Sequence, residues 1–459
     1  MSNFWDSNVW GAFNLIAILL SSLLAASLLK KAIKLLKDSL IPTSVVGGGI
    51  LLGIAAIYKF VTKDEMFDTA FFGGNGSAVL EIITYHTLAL GFIASTFTGS
   101  NQKLSKQRNI EIFNTGVTTV ATYLIQGVVG FGITIIFAWI VKDFFPAAGV
   151  LLPFGYGQGT GQALNYGNIY EINHGFTDGK SFGLTIAALG FLSAAMGGVV
   201  HLNLPKNRIK RAALSAENKQ VSEETLTEKE IPIFENMDTL SVQVAFVMGA
   251  YMITFIAMYL LGLLAPGLRS VIFGFNFLIG VLMATLCKFV IHTMEKRKIL
   301  QKQYINGFLM TRIRNFFFDI MVVAGIAAIR LNALGKYLII LLILGVAGAV
   351  ITYAYLRFVI KKLFPAYEEE QFLAMYGMLT GTASTGIILL REIDGTFQTP
   401  AADNLVYQNF PAIVFGFPLM LLATLAPKAP GLTWIILLVF FVVMNIILFR
   451  AFIFKRKKK

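Results

Sequence analysis

Apolar runs of about twenty residues recur along this chain, each long enough as a helix to cross the hydrocarbon core of a bilayer. The hydrophobic pattern predicts spans at 11–29, 40–60, 81–98, 112–140, 181–203, 241–264, 271–292, 308–330, 337–360, 408–427 and 432–453, eleven in all. Twice, about half the chain apart, the pattern is interrupted by a small, polar, helix-weakening tract: GYGQGTGQALNYG at 155–167 and TGTASTG at 380–386. Such residues at membrane depth leave backbone groups free, which is tolerated only where buried protein or a watery cavity satisfies them. Broken segments at corresponding positions of two halves point to a transport site.

Composition changes the picture little, because it says the same thing globally. Of 459 residues 56% are hydrophobic and only 14% charged, against roughly 25% charged in soluble globular chains; the mean hydropathy is +0.71. The expected class is an all-α polytopic membrane protein. The first run, 11–29, is long enough to span, lacks a small-residue cleavage site and is followed by basic residues, so it reads as a retained helix. The single cysteine, Cys287, excludes an intrachain disulfide and reads as a packing residue.

Charge decides how the two tracts are counted. If neither crosses the membrane, the loops 30–37, 99–111, 204–238, 293–314 and 361–371 share one side with the KRKKK tail and hold most of the 38 Lys and Arg, and the opposite loops hold eight. The positive-inside bias then puts the amino terminus outside and the carboxyl terminus in the cytoplasm. The net charge of +13 is mostly this bias, with the tail suited to anionic lipid, and needs no nucleic-acid partner. The polar stretch 204–238 reads as a cytoplasmic linker between residues 1–203 (five spans, hairpin 149–177) and residues 239–427 (five spans, hairpin 370–396). Each part runs four spans, a broken tract and one span, but in opposite starting orientation. That order predicts two inverted-topology repeats with re-entrant hairpins, and 428–459 adds an eleventh helix with a basic tail.

No enzyme signature competes with this reading. GFTDGKS at 175–181 resembles a phosphate-binding loop, but its glycines enclose three residues instead of four and His174 stands where the first glycine belongs. The four histidines, His86, His174, His201 and His292, are scattered and lack zinc-protease spacing, and no nucleophile-elbow motif occurs. Any pumping must therefore draw on an ion gradient, with no cofactor beyond a coupling ion.

Three stretches, IPTSVVGGGILLG at 41–53, YHTLALGFIAS at 85–95 and GQGTGQALNYGNIYEINHGFTDGKSFGLTIAALGFLSAAMGGVV at 157–200, resemble the bacterial sodium/glutamate symporters. The resemblance spans nearly the whole chain in topology, and the tract from Gly155 to Gly198 carries its specific motif. In that family a Gly-His-Gly-Thr-Gly core opens the first re-entrant hairpin; here Gln158 replaces the histidine while Gly157, Gly159, Thr160 and Gly161 keep the frame. The second hairpin, MLTGTASTGIILLREID, departs from the family's Ala-Thr-Pro-containing tip, and the eleventh span is a further departure. The resemblance implies a ten-span inverted-repeat fold in the bacterial inner membrane, a homodimer, and sodium-coupled uptake of glutamate by alternating access.

The chemistry suits an anionic substrate. Backbone N–H groups at a half-helix start, with the positive end of its dipole, favour a carboxylate. The candidate substrate ligands are Gln158, Gly159, Thr160, Gly161 and Gln162 at the first tip and Thr382, Ala383, Ser384 and Thr385 at the second. Hydroxyl and carbonyl oxygens without fixed charge suit dehydrated sodium, which makes Asn165 and Thr380 candidate sodium ligands. Small residues also serve close helix packing, but their recurrence in inverted register with Gln158, Gln162 and Asn165 favours the site. Arg391 and Glu392 follow the second tract, and Arg391 is a candidate carboxylate ligand; the other reading leaves both at the solvent end of the hairpin. Asp319 is either a cation ligand or half of a structural ion pair. Glu81 and Glu171 read as outer-interface residues, with Tyr166 and Tyr170 as interfacial anchors. A citrate- or dicarboxylate-type carrier, and more distantly a channel or receptor with a transporter-derived fold, remain as alternatives.

Overall fold

The computed structural model describes residues 3–98, 105–210, 238–266, 269–299, 304–395 and 398–453. Most of the expected linker 204–238 and the KRKKK tail lie outside the described residues. The longer helices, in chain order, are α1 (Ser7–Ala32), α2 (Thr43–Thr62), α3 (Gly76–Thr98), α4 (Lys106–Ile140), α5 (Leu151–Gln158), α6 (Thr160–His174), α7 (Gly179–Leu202), α8 (Thr239–Leu264), α9 (Asn276–Lys296), α10 (Gly307–Ala327), α11 (Leu331–Leu363), α12 (Glu368–Thr380), α13 (Ala383–Arg391), α14 (Ala401–Tyr407), α15 (Asn409–Leu425) and α16 (Pro430–Leu448). No strand occurs among the described residues.

Nine helices among the described residues are long and apolar enough to cross a membrane, and the pair α14 and α15, bent by 53°, brings the number to ten. The protein is therefore an all-α polytopic membrane protein. The expected span at 308–330 forms as α10, but with Arg312, Arg314 and Asp319 crowded in its 21 residues it is not among these nine. Helix starts follow local chemistry: Ser105 caps α4 by accepting from the Arg108 backbone N–H at 3.2 Å, and Asp238 caps α8 by accepting from that of Ser241 at 3.0 Å.

The chain forms two compact units, Met1–Glu81 with Leu104–Arg211 and Val322–Lys459, and Ile82–Lys103 with Ala212–Met321. Each draws on both sides of the expected linker. In the smaller unit, Leu90, Ile93, Ala94, Phe97, Val247, Ala250, Ala284, Met310 and Ile313 form a buried core. Polar contacts fix its register: His86 Nδ1 lies 2.6 Å from the Tyr251 hydroxyl, and Gln243 donates to the Tyr304 carbonyl at 2.8 Å while accepting from the Asn306 N–H at 2.9 Å.

The larger unit contains both polar tracts, and each is a helical hairpin. The first pairs α5 with α6: Phe154 and Tyr166 stack across it with ring centroids 3.9 Å apart. The second pairs α12 with α13, where a Cβ on Gly377 would lie 2.7 Å from the Gly386 Cα. Glycine at both faces lets the two arms touch backbone to backbone. Tyr166 and Tyr170 are wholly buried, correcting the expectation that they anchor at the membrane interface. Their hydroxyls donate to the carbonyls of Met420 at 3.1 Å and Ala423 at 2.6 Å on α15, since a buried phenol needs an acceptor.

Candidate functional site

The first break lies at Gly159, whose φ of +81° is a conformation that side chains disfavour and glycine adopts freely. The chain thereby leaves α5 and restarts as α6 with no side-chain cap. The first-turn N–H groups of α6 consequently have no partner within the helix. Thr160, Gly161, Gln162 and Asn165 are all buried, and Gln158 is half-buried. Thr160 packs on α10, where a Cβ at Gly325 would come within 2.7 Å of it. Gln162 is 1% exposed, and neither its Oε1 nor its Nε2 has a hydrogen-bond partner. Leaving a buried amide unsatisfied costs about 1–3 kcal/mol, so this residue opposes stability and points to a ligand.

At the second break Thr382 caps α13 by accepting from the Thr385 N–H at 3.4 Å. Thr385 is buried, Ser384 half-buried and Ala383 exposed. The Thr380 hydroxyl donates to the Tyr376 carbonyl at 2.6 Å, leaving its lone pairs for another group. Arg391 ends α13 with its side chain exposed, about 12 Å along the axis from the break. It therefore does not line the tip, and the solvent-end reading is the one its position favours. Asp319 belongs to the smaller unit and is exposed there.

The two breaks meet. On α7, a Cβ at Gly190 would lie 2.5 Å from the Thr380 carbonyl oxygen and 3.2 Å from the Tyr156 ring. On α4, the buried Gln126 donates from Nε2 to the Leu379 carbonyl at 2.9 Å and to the Thr352 hydroxyl at 2.8 Å. Its Oε1 would be 3.4 Å from a Cβ on Gly157. Tyr123, one turn before Gln126, donates to the Gly157 carbonyl at 3.1 Å. Tyr156 in turn donates to the Gly345 carbonyl at 2.5 Å and bonds Ser193 at 2.9 Å. Gln126 was legible only as a lone amide in the apolar run 112–140. Gly190 gave no signal at all, since its role is to leave space. Gly190→Ala is expected to destabilise the protein by about 1–3 kcal/mol, the usual cost of overpacking, because the obstructing atom is a backbone carbonyl; a lowered melting temperature in detergent checks this.

A second polar cluster holds the far end of α12. Glu369, 2% exposed, accepts from His201 Nε2 at 2.7 Å, Asn207 at 3.1 Å and Arg357 at 3.1 Å, and the His201 Nδ1 lies 2.8 Å from the Tyr353 hydroxyl. Arg357 also pairs with Glu368 at 3.0 Å. Burial opposes the Glu369 charge, but the Asn207 amide, the Arg357 guanidinium and the His201 ring outweigh it and hold the carboxyl down at about 2. A cavity of about 510 Å³ opens beside this end of the hairpin, lined by Arg108, Glu111, Tyr367 and Thr399 among others.

On the opposite flank of the first hairpin, Lys180 bonds Glu81 at 2.7 Å and lies 3.6 Å from Glu171, and Arg330 reaches Glu81 at 3.4 Å. Both acids are thus in an ion-pair network. Among the described residues no group of three or more His, Cys, Asp or Glu gathers as a metal centre.

No protein-family model matches the chain, and none of the curated proteins matches it. The class defined by fold and site is that of an all-α, multi-pass membrane protein with two broken helical hairpins meeting in one compact unit.

Proposed function

We propose that this protein is a secondary active transporter, a sodium-coupled symporter of an anionic amino acid, glutamate first, working by alternating access. The observation that carries the reading is the meeting of two polar helix breaks around Gln126 and Gly190, together with a buried Gln162 amide in the first turn of α6 that has no partner in the protein. Half-helix starts at Thr160 and Ala383 offer N–H groups and positive dipole ends to carboxylates. Neutral oxygens, among them Asn165 and Thr380, suit sodium. Motif resemblance at 157–200 favours glutamate over citrate or a dicarboxylate.

On this reading the halves before and after the linker are inverted repeats, the hairpins are re-entrant from opposite faces, the amino terminus is outside, and the bacterial inner membrane holds a homodimer. The unit division fits such repeats, which interlock so that both hairpins share one unit. Asp319, at mid-helix in the smaller unit, is assigned to neither tip.

Uptake of labelled glutamate into proteoliposomes is expected to require an inward sodium gradient. Equal uptake in choline, or uptake driven by protons alone, overturns the coupling. Preloaded unlabelled substrate is expected to accelerate labelled entry, which a channel or a receptor does not do.

A further inference from the structure

We infer that Gln126 is a ligand for a cationic group held where the two broken helices end. The inference rests on the transport reading and adds to it a residue, a sign of charge and a position.

The amide orientation is fixed by its surroundings. Leu379 presents a carbonyl, which can only accept, so the nitrogen of Gln126 must face it and the oxygen must face Gly157. That Oε1 is buried without a donor. A carbonyl oxygen in such a place wants either a hydrogen-bond donor or a cation.

Helix direction decides between them. Gly157 and Leu379 lie in the last turns of α5 and α12, whose terminal carbonyls lack intrahelical donors and carry the negative end of the helix dipole. Nε2 donates to the carbonyl of Leu379 at the second of these ends, and Oε1 faces the α-carbon side of Gly157 at the first. The Oε1 of Gln126 is therefore a neutral oxygen without a donor at the carbonyl end of α5, while Leu379 and Thr352 hold Nε2 and so aim it. Such an oxygen suits a dehydrated monovalent cation or an ammonium group. The restarting helices α6 and α13 begin within three residues of these ends and bring their positive dipole ends to the same junction. The junction thus offers both signs of partial charge, as a zwitterion or a sodium–carboxylate pair requires.

Sodium and the substrate ammonium share this chemistry, and one experiment separates them. Purified protein in detergent is titrated by thermal shift with sodium alone at constant ionic strength, then with glutamate and with its deaminated analogue glutarate at fixed sodium. Gln126→Met, similar in length but without an amide, is expected to need about tenfold more ligand, the usual effect of losing one bond to a charged group. If the sodium curve shifts, the cation is sodium. If only glutamate weakens and glutarate does not, it is the substrate ammonium. Thr352→Val removes the acceptor of Nε2 and leaves Oε1 in place, and is expected to shift neither curve more than about threefold. Equal shifts in the two variants show a purely structural brace and overturn the inference, as does an unchanged Gln126→Met. If Gln126→Met does not fold, Gln126→Asn, one methylene short of the junction, is held to the same criteria. A wild-type protein indifferent to both sodium and glutamate overturns the transport reading itself and the inference with it.

Discussion

Gln162→Leu is expected to abolish substrate uptake and, at the same time, to raise the melting temperature of the ligand-free protein. The two effects share a cause. A wholly buried amide with no partner destabilises the fold by about 1–3 kcal/mol, and leucine fills similar space without that cost. On the proposed transport function the amide binds the ligand in exchange, so removing it is expected to lower transport at least about a hundredfold, equivalent to about 2.7 kcal/mol. Proteoliposome uptake and thermal unfolding in detergent, done on the same preparation, read both quantities. A variant that loses uptake and stability together would assign Gln162 to packing, and one that keeps uptake would remove it from the site. The opposed signs separate a binding residue from a structural one more sharply than loss of function alone.

Much of this arrangement is legible in the sequence, and the reasons are physical. Long apolar runs declare helices in a bilayer because nothing else satisfies the backbone there, and the helices α1 to α4, α7 to α9, α11 and α16 follow them. The polar tracts were legible for the converse reason: GQGTG and TGTASTG cannot continue an apolar helix, and both became breaks, at Gly159 and at Gly381–Thr382. Tertiary partners were not legible. Tyr166 and Tyr170 look like interfacial aromatics in one dimension, and only packing against α15 shows that their hydroxyls serve buried carbonyls. Arg391 sits beside the second tract in sequence, yet a nine-residue helix carries it to the exposed end of the arm. Gln126 and Leu379 are 253 residues apart, a separation at which sequence spacing carries no information about contact.

The last expected result concerns the other end of the second hairpin, where Glu369→Ala should cost about 1–3 kcal/mol, the penalty for leaving buried polar partners without their acceptor. Arg357 keeps Glu368 at 3.0 Å, so its charge is not wholly abandoned, but Asn207 and His201 lose their shared acceptor at the start of α12. Glu369→Gln keeps the shape and an oxygen while removing the charge, and is expected to fall between the alanine variant and wild type. The same carboxylate makes a signed prediction in pH. Its value in the folded protein is about 2, against 4.5 for an ordinary glutamate, so its stabilisation is fully present above about pH 4.5 and is lost as the pH falls toward 2. The melting temperature of the wild type should therefore approach that of Glu369→Gln across that window, and the gap between the two should be widest at neutral pH. A constant gap from pH 7 to pH 3 would mean that the charge of Glu369 does not hold the hairpin. If the charge does hold it, the cluster ties α12 to α7 and α11 at one end of the arm while Gln126 ties it to α4 at the other. On the proposed transport function, a motion of the second hairpin that opens the site breaks one of these two attachments, and the alanine variant frees the one that lies away from the proposed site.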